Sequence, residues 1–224
     1  MELFRTILLM APVLLFSFIA HEYAHGYAAL KQGDTTARDL GFLTWNPIKQ
    51  IDPVMTVIVP LMLAASHLPI LGGVKGVPVD VRNFRHPVRG DIIVSLAGVT
   101  TNFCIAVISV PLIILVGKIG QSQASLSNSL SIVQQMLDNA VKLNLLLTMF
   151  NLLPFPPLDG SRVFKYLLPA KLAAAYQRVG PIGYAVLFAV IFFGGSAIFA
   201  PIGAAYQSVS GLYSPFMLPS PFPQ

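Results

Sequence analysis

Charged residues are scarce in this chain. Only 10% of its 224 residues are Asp, Glu, Lys or Arg, whereas 55% are hydrophobic. Soluble domains carry about 25% charged residues, so the composition argues against a water-soluble enzyme and indicates a membrane protein. The net charge of +5 does not indicate nucleic-acid binding. The basic residues are dispersed between apolar segments, as is typical of sequences that flank membrane spans.

Cysteine and glutamate are nearly absent. Cys104 is the single cysteine, which excludes a disulfide framework; because it lies in an apolar run, we expect a small packed residue. Glu2 and Glu22 are the only glutamates in the sequence. Any chemistry that needs a glutamate carboxylate therefore has two candidates at most.

Five apolar runs dominate the sequence. They cover residues 3–20, 54–71, 92–116, 141–155 and 182–202. A membrane-spanning helix needs about 20 apolar residues, which the first, third and fifth runs supply, and the fourth does so if it starts near residue 137. The second contains Pro60 and Pro69. We therefore predict an α-helical polytopic membrane protein with about four full transmembrane helices, forming a single membrane-embedded domain over residues 1–224.

Two polar stretches between the runs predict a small β-sheet. In residues 37–46, three alternating positions, Leu40, Phe42 and Thr44, lie on one face, and residues 74–81 are rich in valine; Gly, Pro and Asn bound both stretches. Pro78 makes the second stretch an edge strand.

The sequence His21-Glu22-Tyr23-Ala24-His25 follows the first run. We expect the helix to continue through it to about Leu30. Histidines at positions i and i+4 lie on one helical face and can bind one metal ion, while the intervening glutamate can hold a metal-bound water. This H-E-x-x-H pattern is typical of zinc peptidases. The alternative is an ordinary helix with two packed histidines, which the cost of such residues at the end of a span disfavours.

A catalytic zinc takes three protein ligands, and the motif supplies two. Glu2 lies about 28 Å away along the same helix, and Ala28 and Lys31 stand where the metzincin extension needs Gly and His. The remaining candidates are His67, His86, Cys104 and the seven aspartates. We expect His86 at the surface and His67 at the membrane interface, with His67 as the next candidate ligand after the aspartates.

Asp159 is the strongest candidate among the aspartates. It ends the proline-rich stretch 151–160, directly after the fourth apolar run. Irregular backbone at membrane depth survives where it is buried in protein or lines a wet cavity, and a carboxylate there needs a compensating charge. The alternative is that Asp159 caps a helix starting at Ser161. Solvated roles suffice for the others, which lie in polar loops or at segment ends: Asp34, Asp39, Asp52, Asp80, Asp91 and Asp138.

Four stretches together resemble the site-2 protease family of intramembrane zinc metallopeptidases, in its small form without regulatory domains. They are His21-Glu22-x-x-His25-Gly26, Thr44-x-Asn46-Pro47-x-x-x-Ile51-Asp52-Pro53, Ala97-Gly98-x-x-x-Asn102, and Asn151-Leu152-Leu153-Pro154 through Leu158-Asp159-Gly160. These core motifs span residues 21–165, whereas residues 180–224, the C-terminal helix and tail, carry no comparable signal. Val99 departs from the family, which often has proline there, and a family proline near Gly76 is absent.

The resemblance implies one Zn²⁺ per chain, with His21, His25 and Asp159 as ligands. It implies that Glu22 acts as general base for attack by the zinc-bound water on a peptide bond. The substrate would be a transmembrane segment of another protein in the lipid bilayer, with no nucleic acid involved. The resemblance also implies a role near the site for Asn102 and Asn151. They could bind the substrate backbone or steady the loop, and helix–helix hydrogen bonding is an equal alternative.

Two functions from other classes compete with proteolysis. A zinc-binding membrane transporter would need ligands staged along a path, whereas the candidates here suggest one site. A non-proteolytic scaffold would not need Glu22.

The ligand positions also predict a topology. His25 and Asp159 can share an ion only at one membrane face, so one of the three runs between them must not cross. The proline-containing run 54–71 is the weakest, and we expect it to be re-entrant. That arrangement places eleven of the fourteen basic residues on the ligand side: Lys31, Arg38, Lys49, Lys75, Arg82, Arg85, Arg89, Arg162, Lys165, Lys171 and Arg178. Positive-inside reasoning makes this side cytoplasmic. We therefore expect a multi-pass cell-membrane protein with its active site nearer the cytoplasmic face.

Overall fold

The computed structural model describes residues 2–65, 73–178, 183 and 199–221. The chain divides into two compact units, Met1–Thr101 and Asn102–Gln224, and each is described by itself below. The single-domain organisation stays a prediction.

The first unit is built on one long helix. α1 covers Glu2–Gln32, which confirms that the helix runs through the H-E-x-x-H motif. Shorter elements follow: α2 (Thr36–Asp39), α3 (Pro47–Gln50), a π-helix (Pro53–Ile58), α4 (Val59–Ala65) and a 3₁₀ turn (Val81–Asn83). The unit ends within α5 (Pro87–Ser122). Its core joins the end of α1 to α5 through the buried side chains of Ala29, Phe84 and Val94.

Two residues after α1 turn the chain sharply. Gly33 has φ of +112°, a conformation that L side chains rarely adopt. The next residue, Asp34, is fully buried and accepts hydrogen bonds from the main chain of Thr36 and Asp80 and from the side chain of Asn83. Burial raises the pKa of the Asp34 carboxyl, but these hydrogen bonds and that of the Thr36 hydroxyl outweigh it, so the pKa lies below its ordinary value. Asp34 is thus a structural hub and not the solvated residue expected.

The second unit contains the remainder of α5 and a second long helix. Its elements are a 3₁₀ turn (Ala124–Leu126), α6 (Ser127–Asn151), α7 (Asp159–Phe164), a 3₁₀ turn (Lys165–Leu167), α8 (Ala170–Arg178), a helix over residues 199–210 and a 3₁₀ turn (Ser214–Phe216). Ile113 of α5, Val141 of α6 and Tyr213 form its main buried cluster.

Two α6 side chains hold the C-terminal segment of this unit. Gln134 donates to the carbonyls of Ile113 and Phe216 and accepts from the Leu218 N–H. One turn later, Asp138 accepts hydrogen bonds from the hydroxyls of Tyr206 and Tyr213 at 2.7 and 2.6 Å. The expectation that Asp138 is a solvated loop residue was therefore wrong.

The described helices support a membrane protein only in part. Two of them are long and apolar enough to cross a bilayer, Phe4–Gln32 and Pro87–Ser122, where we expected about four. α6 has 25 residues, but its first half contains serines, glutamines and Asp138, because the helix starts well before the apolar run. The run 54–71 changes from π- to α-helix at Val59 and is described only to residue 65. Most of the run 182–202 lies outside the described residues.

The two long apolar helices expose hydrophobic surface and bury polar side chains. Leu8 is 61% exposed and Ile108 57% exposed, whereas Ser17 and Asn102 are fully buried. Such an inverted distribution fits a surface that faces lipid. Cys104 is also exposed, so the prediction that it is a packed residue was wrong.

The predicted β-sheet is not supported: within the described parts of the chain no strand is present. Residues 36–39 form the helical turn α2 instead, since the N–H of Leu40 bonds the carbonyl of Thr36 and that of Phe42 bonds Ala37. Three alternating positions in this stretch do not outweigh the local turn that the buried Asp34 starts.

Residues 73–80 are extended but do not pair as a strand. Alternate N–H groups are used by different partners: Gly73 donates to the Met55 carbonyl, Lys75 to the Gln50 carbonyl and Val77 to the Glu22 carboxylate. The segment therefore lies along other elements of the first unit without forming a ladder. The prediction of a paired strand here was wrong, because the hydrogen-bond partners of this segment belong to helices and not to a neighbouring strand.

Candidate metal centre

The two histidines of the motif lie together on α1. Their side chains are buried, with His21 9% and His25 8% exposed. The two Nε2 atoms are 2.9 Å apart. Two nitrogens on one tetrahedral zinc lie about 3.3 Å apart, so a small shift of either ring lets both bind a single ion. The donor set thus fits zinc.

A main-chain carbonyl of α5 orients His25. The Nδ1 atom of His25 lies 2.7 Å from the carbonyl oxygen of Val94. A carbonyl can only accept, so Nδ1 carries the proton and the lone pair of the neutral ring is on Nε2. This is the arrangement that metal-binding histidines commonly show.

Gly98 of α5 lies directly against both imidazoles. A Cβ atom placed on Gly98 would be 2.5 Å from Cε1 of His21 and from Nε2 of His25. No side chain larger than hydrogen fits beside the two rings unless something moves. This close approach explains why the sequence has glycine at this point of an otherwise apolar helix.

Glu22 lies beside the two histidines in the same turn of α1 and is partly buried. Its Oε2 atom accepts a hydrogen bond of 2.7 Å from the Val77 N–H. The carboxylate is thus held by the extended segment 73–80, and the first unit brings together three of the predicted site residues, His21, Glu22 and His25.

The other predicted site residues belong to the second unit. Asp159 is the first residue of α7 and is partly buried, and Leu158 is the N-cap of that helix. The alternative that Asp159 caps a helix starting at Ser161 was therefore wrong. Asn102 is fully buried on α5. The Asn151 side chain donates to the Leu147 carbonyl one turn earlier in α6.

The remaining acidic and histidine candidates have other positions. Asp52 accepts from the N–H groups of Val54 and Met55 and so caps the π-helix. Asp91 is fully buried on α5, contrary to the solvated role expected. His86 is exposed, as predicted, and His67 lies outside the described residues.

Sequence reasoning missed the groups that support the motif. The Val94 carbonyl and the Val77 N–H are main-chain atoms, which leave no mark in residue identity. Gly98 belongs to one of the four motif stretches, but its contact with the imidazoles depends on how α5 packs against α1. Gly26, directly after the histidine motif, also belongs to these stretches and is also tightly packed.

Comparison with known proteins places the chain in a family. The sequence profile of Peptidase family M50 matches residues 9–194. This chain belongs to peptidase family M50. It is 36% identical over 210 residues to "Putative zinc metalloprotease YwhC" of Bacillus subtilis, covering 92% of this chain and 91% of that protein. It is 29% identical over 148 residues to "Putative zinc metalloprotease Rip2" of Mycolicibacterium smegmatis, covering 65% and 52%. No solved structure matches the chain.

The resemblance to the site-2 protease family is thereby confirmed. The protein is a metalloprotease, and its cofactor is zinc. A protein substrate and a membrane environment follow from the family. The scaffold and transporter alternatives are set aside on the same grounds.

The contact between Gly98 and the imidazoles generates a prediction. Gly98→Ala should lower zinc occupancy severalfold, because the new methyl group must displace His21 or His25. Metal content of the purified protein in detergent measures this. Gly203→Ala is the control, since a Cβ there meets nothing within 4 Å. Equal zinc occupancy in both variants would contradict the proposed packing role of Gly98.

Proposed function

We propose that this protein is an intramembrane zinc metalloprotease that hydrolyses peptide bonds in or near transmembrane segments of other proteins. The observation that carries the proposal is the placement of two buried, mutually close imidazoles late in an apolar helix of membrane length. In a chain of an M50 peptidase, such a placement favours substrates that reach the enzyme through the bilayer.

The depth of the site follows from helix geometry. The apolar part of α1 begins at Phe4, and His21 lies 17 positions further on, about 26 Å at about 1.5 Å per residue. The hydrocarbon core of a bilayer is about 30 Å thick. If α1 spans it upright, His21 and His25 lie close to the far edge of the core, where water can reach them.

An aromatic column on α1 supports this position. Trp45 stacks between Phe16 and Tyr23, at centroid distances of 6.1 and 5.0 Å, and Tyr27 continues the column at 6.3 Å from Tyr23. Lys31 then lies 5.2 Å over the Tyr27 ring. Exposed aromatic rings that end in a lysine are typical of the membrane–water interface. The α1 residues of this column, Phe16 to Tyr27, extend along the helix on both sides of His21 and His25.

For the zinc ligands, we propose His21, His25 and Asp159, each of which offers one ligand atom. A catalytic zinc needs a third protein ligand. Within the first unit the buried Asp34 is a poor candidate, because its carboxylate is already surrounded by hydrogen-bond donors. Asp159 belongs to the stretch 151–160 that resembles the family motif, and it is the first residue of α7.

Glu22 is the proposed general base. Bound zinc supplies a Lewis acid that activates water and polarises a peptide carbonyl. Glu22 accepts the proton of the attacking water and returns it to the leaving amine. His25 keeps its Nε2 lone pair for the metal, because the Val94 carbonyl holds the Nδ1 proton.

A transmembrane substrate must unwind before cleavage, because its helical N–H and C=O groups are paired. Residues 73–77 offer a template for the unwound chain. Gly73, Lys75 and Val77 use their N–H groups inward, and the alternate positions Val74 and Gly76 present the opposite edge, to which an extended peptide can add through main-chain hydrogen bonds.

Two substitutions distinguish the general base from a zinc ligand. Glu22→Gln should keep zinc and lose cleavage, because an amide cannot accept the proton of water. Asp159→Ala should lose both zinc and cleavage. The assay is hydrolysis of a model single-span membrane protein in detergent, with metal content measured on the same samples. Cleavage by Glu22→Gln at the wild-type rate would rule out the general base. Full zinc occupancy in Asp159→Ala would move the third ligand elsewhere, with His67 next.

Asn102 and Asn151 are proposed to bind the substrate backbone, which gives a second prediction. Asn151→Ala should raise KM for the same substrate about tenfold, a loss of about 1.4 kcal/mol, without changing zinc content. Asn102→Ala should act in the same direction. Asn144→Ala is a matched control, because Asn144 donates to the Ala140 carbonyl just as Asn151 donates to Leu147. If Asn144→Ala and Asn151→Ala have the same KM, Asn151 does not bind the substrate and only donates its hydrogen bond within α6.

We also propose that the run 54–71 is re-entrant and that the active site lies nearer the cytoplasmic face of the cell membrane. The run changes from π- to α-helix at Val59 and contains Pro60 and Pro69, and each proline removes a main-chain donor that a spanning helix needs. Eleven of the fourteen basic residues then lie on one side, as the positive-inside rule requires.

Cysteine labelling in intact cells tests this topology. Arg38→Cys and Lys75→Cys, both at exposed positions, should be labelled from the same, cytoplasmic side, so an impermeant reagent should reach them only after permeabilisation. The background must be Cys104→Ser, because the native Cys104 is exposed. Labelling of the two cysteines from opposite sides would mean that the run 54–71 crosses the membrane.

A further inference from the structure

Glu22, the proposed general base, accepts a hydrogen bond from the main chain of a distant segment. The N–H of Val77 donates to Oε2 of Glu22 at 2.7 Å across a sequence separation of 55 residues. Hydrogen bonds between an N–H and a carboxylate are stronger and shorter than those between neutral groups. One oxygen of the Glu22 carboxylate is therefore held in place from outside α1.

The contact depends on close packing of the segment 73–80 against α1. A Cβ on Gly26, one turn after Glu22, would lie 2.9 Å from Cγ1 of Val77 and 2.8 Å from Cδ2 of Leu43. The Val77 side chain thus occupies the space that a larger residue at position 26 would need. This brings the main chain of Val77 within reach of Glu22.

Hydrogen bonds on both sides keep Val77 in position. Two residues earlier, the Lys75 N–H donates to the Gln50 carbonyl at 2.7 Å. Three residues later, the Asp80 N–H donates to Oδ2 of the buried Asp34 at 2.7 Å. Because the segment is fixed at these two points, the Val77 N–H is a preorganised donor and not the end of a free loop.

We propose that Val77 is a positioning residue whose main-chain N–H fixes the orientation of the Glu22 carboxylate, so that the proton of the attacking water goes to Oε1. The inference rests on the proposed role of Glu22 as general base. Without the N–H, the glutamate side chain can rotate about its three side-chain torsions, and a misplacement of about 1 Å lowers a catalytic rate about 100-fold.

The two edges of the segment 73–77 connect substrate binding to the orientation of Glu22. The same segment uses one edge to hold Glu22 and offers the other edge to the substrate. A peptide that pairs with residues 73–77 then stabilises the conformation in which Glu22 is oriented. Substrates that pair poorly with this edge would be hydrolysed slowly even when they bind, because the base is less well positioned.

The sharpest test removes the Val77 N–H alone. Replacing residue 77 by the α-hydroxy acid analogue of valine, through nonsense suppression, keeps the side chain and exchanges the N–H for an ester oxygen. We expect kcat for the model single-span substrate to fall about 10-fold to 100-fold. KM should change less than about threefold, which is within about 0.7 kcal/mol, and zinc content should not change. Val77→Pro removes the same N–H by ordinary mutagenesis and should act in the same direction.

Two further variants separate positioning from packing. Val77→Ala keeps the N–H and loses two methyl groups, so its kcat should fall less than that of the ester variant, whose side chain is intact, if the N–H is what matters. Gly26→Ala leaves residue 77 intact but pushes its side chain away, and should lower kcat with zinc retained. A fall in kcat for Val77→Ala as large as for the ester variant would show a packing role and overturn the inference.

The outcomes also distinguish this inference from the proposed function. If Glu22→Gln cleaves the substrate, the general base itself is wrong. If Glu22→Gln is inactive while the ester variant has wild-type kcat, only the role of Val77 is wrong. Loss of zinc in the ester variant would show that the N–H supports the metal centre as a whole, and would overturn the inference as well.

Discussion

The structure depends on the high cost of leaving a polar group unsatisfied in apolar surroundings. This chain has few charged residues with which to compensate such groups. At the motif the compensation comes from the main chain: the Val94 carbonyl accepts from His25, and the Val77 N–H donates to Glu22. Because main-chain groups are carried by packed elements, the chemistry of the motif is fixed by the way α5 and the segment 73–80 lie against α1.

Glycine makes this arrangement sterically possible. Gly98 on α5 lets that helix approach both imidazoles, and Gly26 on α1 lets Val77 approach Glu22. Gly98 acts on the two histidines, and Gly26 acts on the residue that holds Glu22. Neither donates a functional group, but each sets the distance at which a functional group on a neighbouring element can act.

Polar hubs serve the same purpose away from the motif. In the first unit the buried Asp34 gathers donors from Thr36, Asp80 and Asn83, and so fixes the far end of the segment that holds Glu22. In the second unit Gln134 and Asp138, one turn apart on α6, bind the C-terminal residues through main-chain and tyrosine groups. In both units a few side chains with several hydrogen bonds replace the salt-bridge networks that a more highly charged protein would use.

The amino-acid sequence by itself determined the features that depend on local periodicity and residue chemistry. The i, i+4 spacing of His21 and His25 on an apolar helix predicted the metal motif, because helical geometry places such residues on one face whatever surrounds them. The resemblance of four stretches to the site-2 protease family added the family and the zinc cofactor. Tertiary structure alone decided the rest. It turned the expected strands into a helical turn and an unpaired extended segment, it buried Asp34 and Asp91, and it gave Asp138 two tyrosine partners. It also supplied the main-chain partners of His25 and Glu22, since which backbone groups meet a side chain depends on packing between distant segments, and every residue has the same backbone.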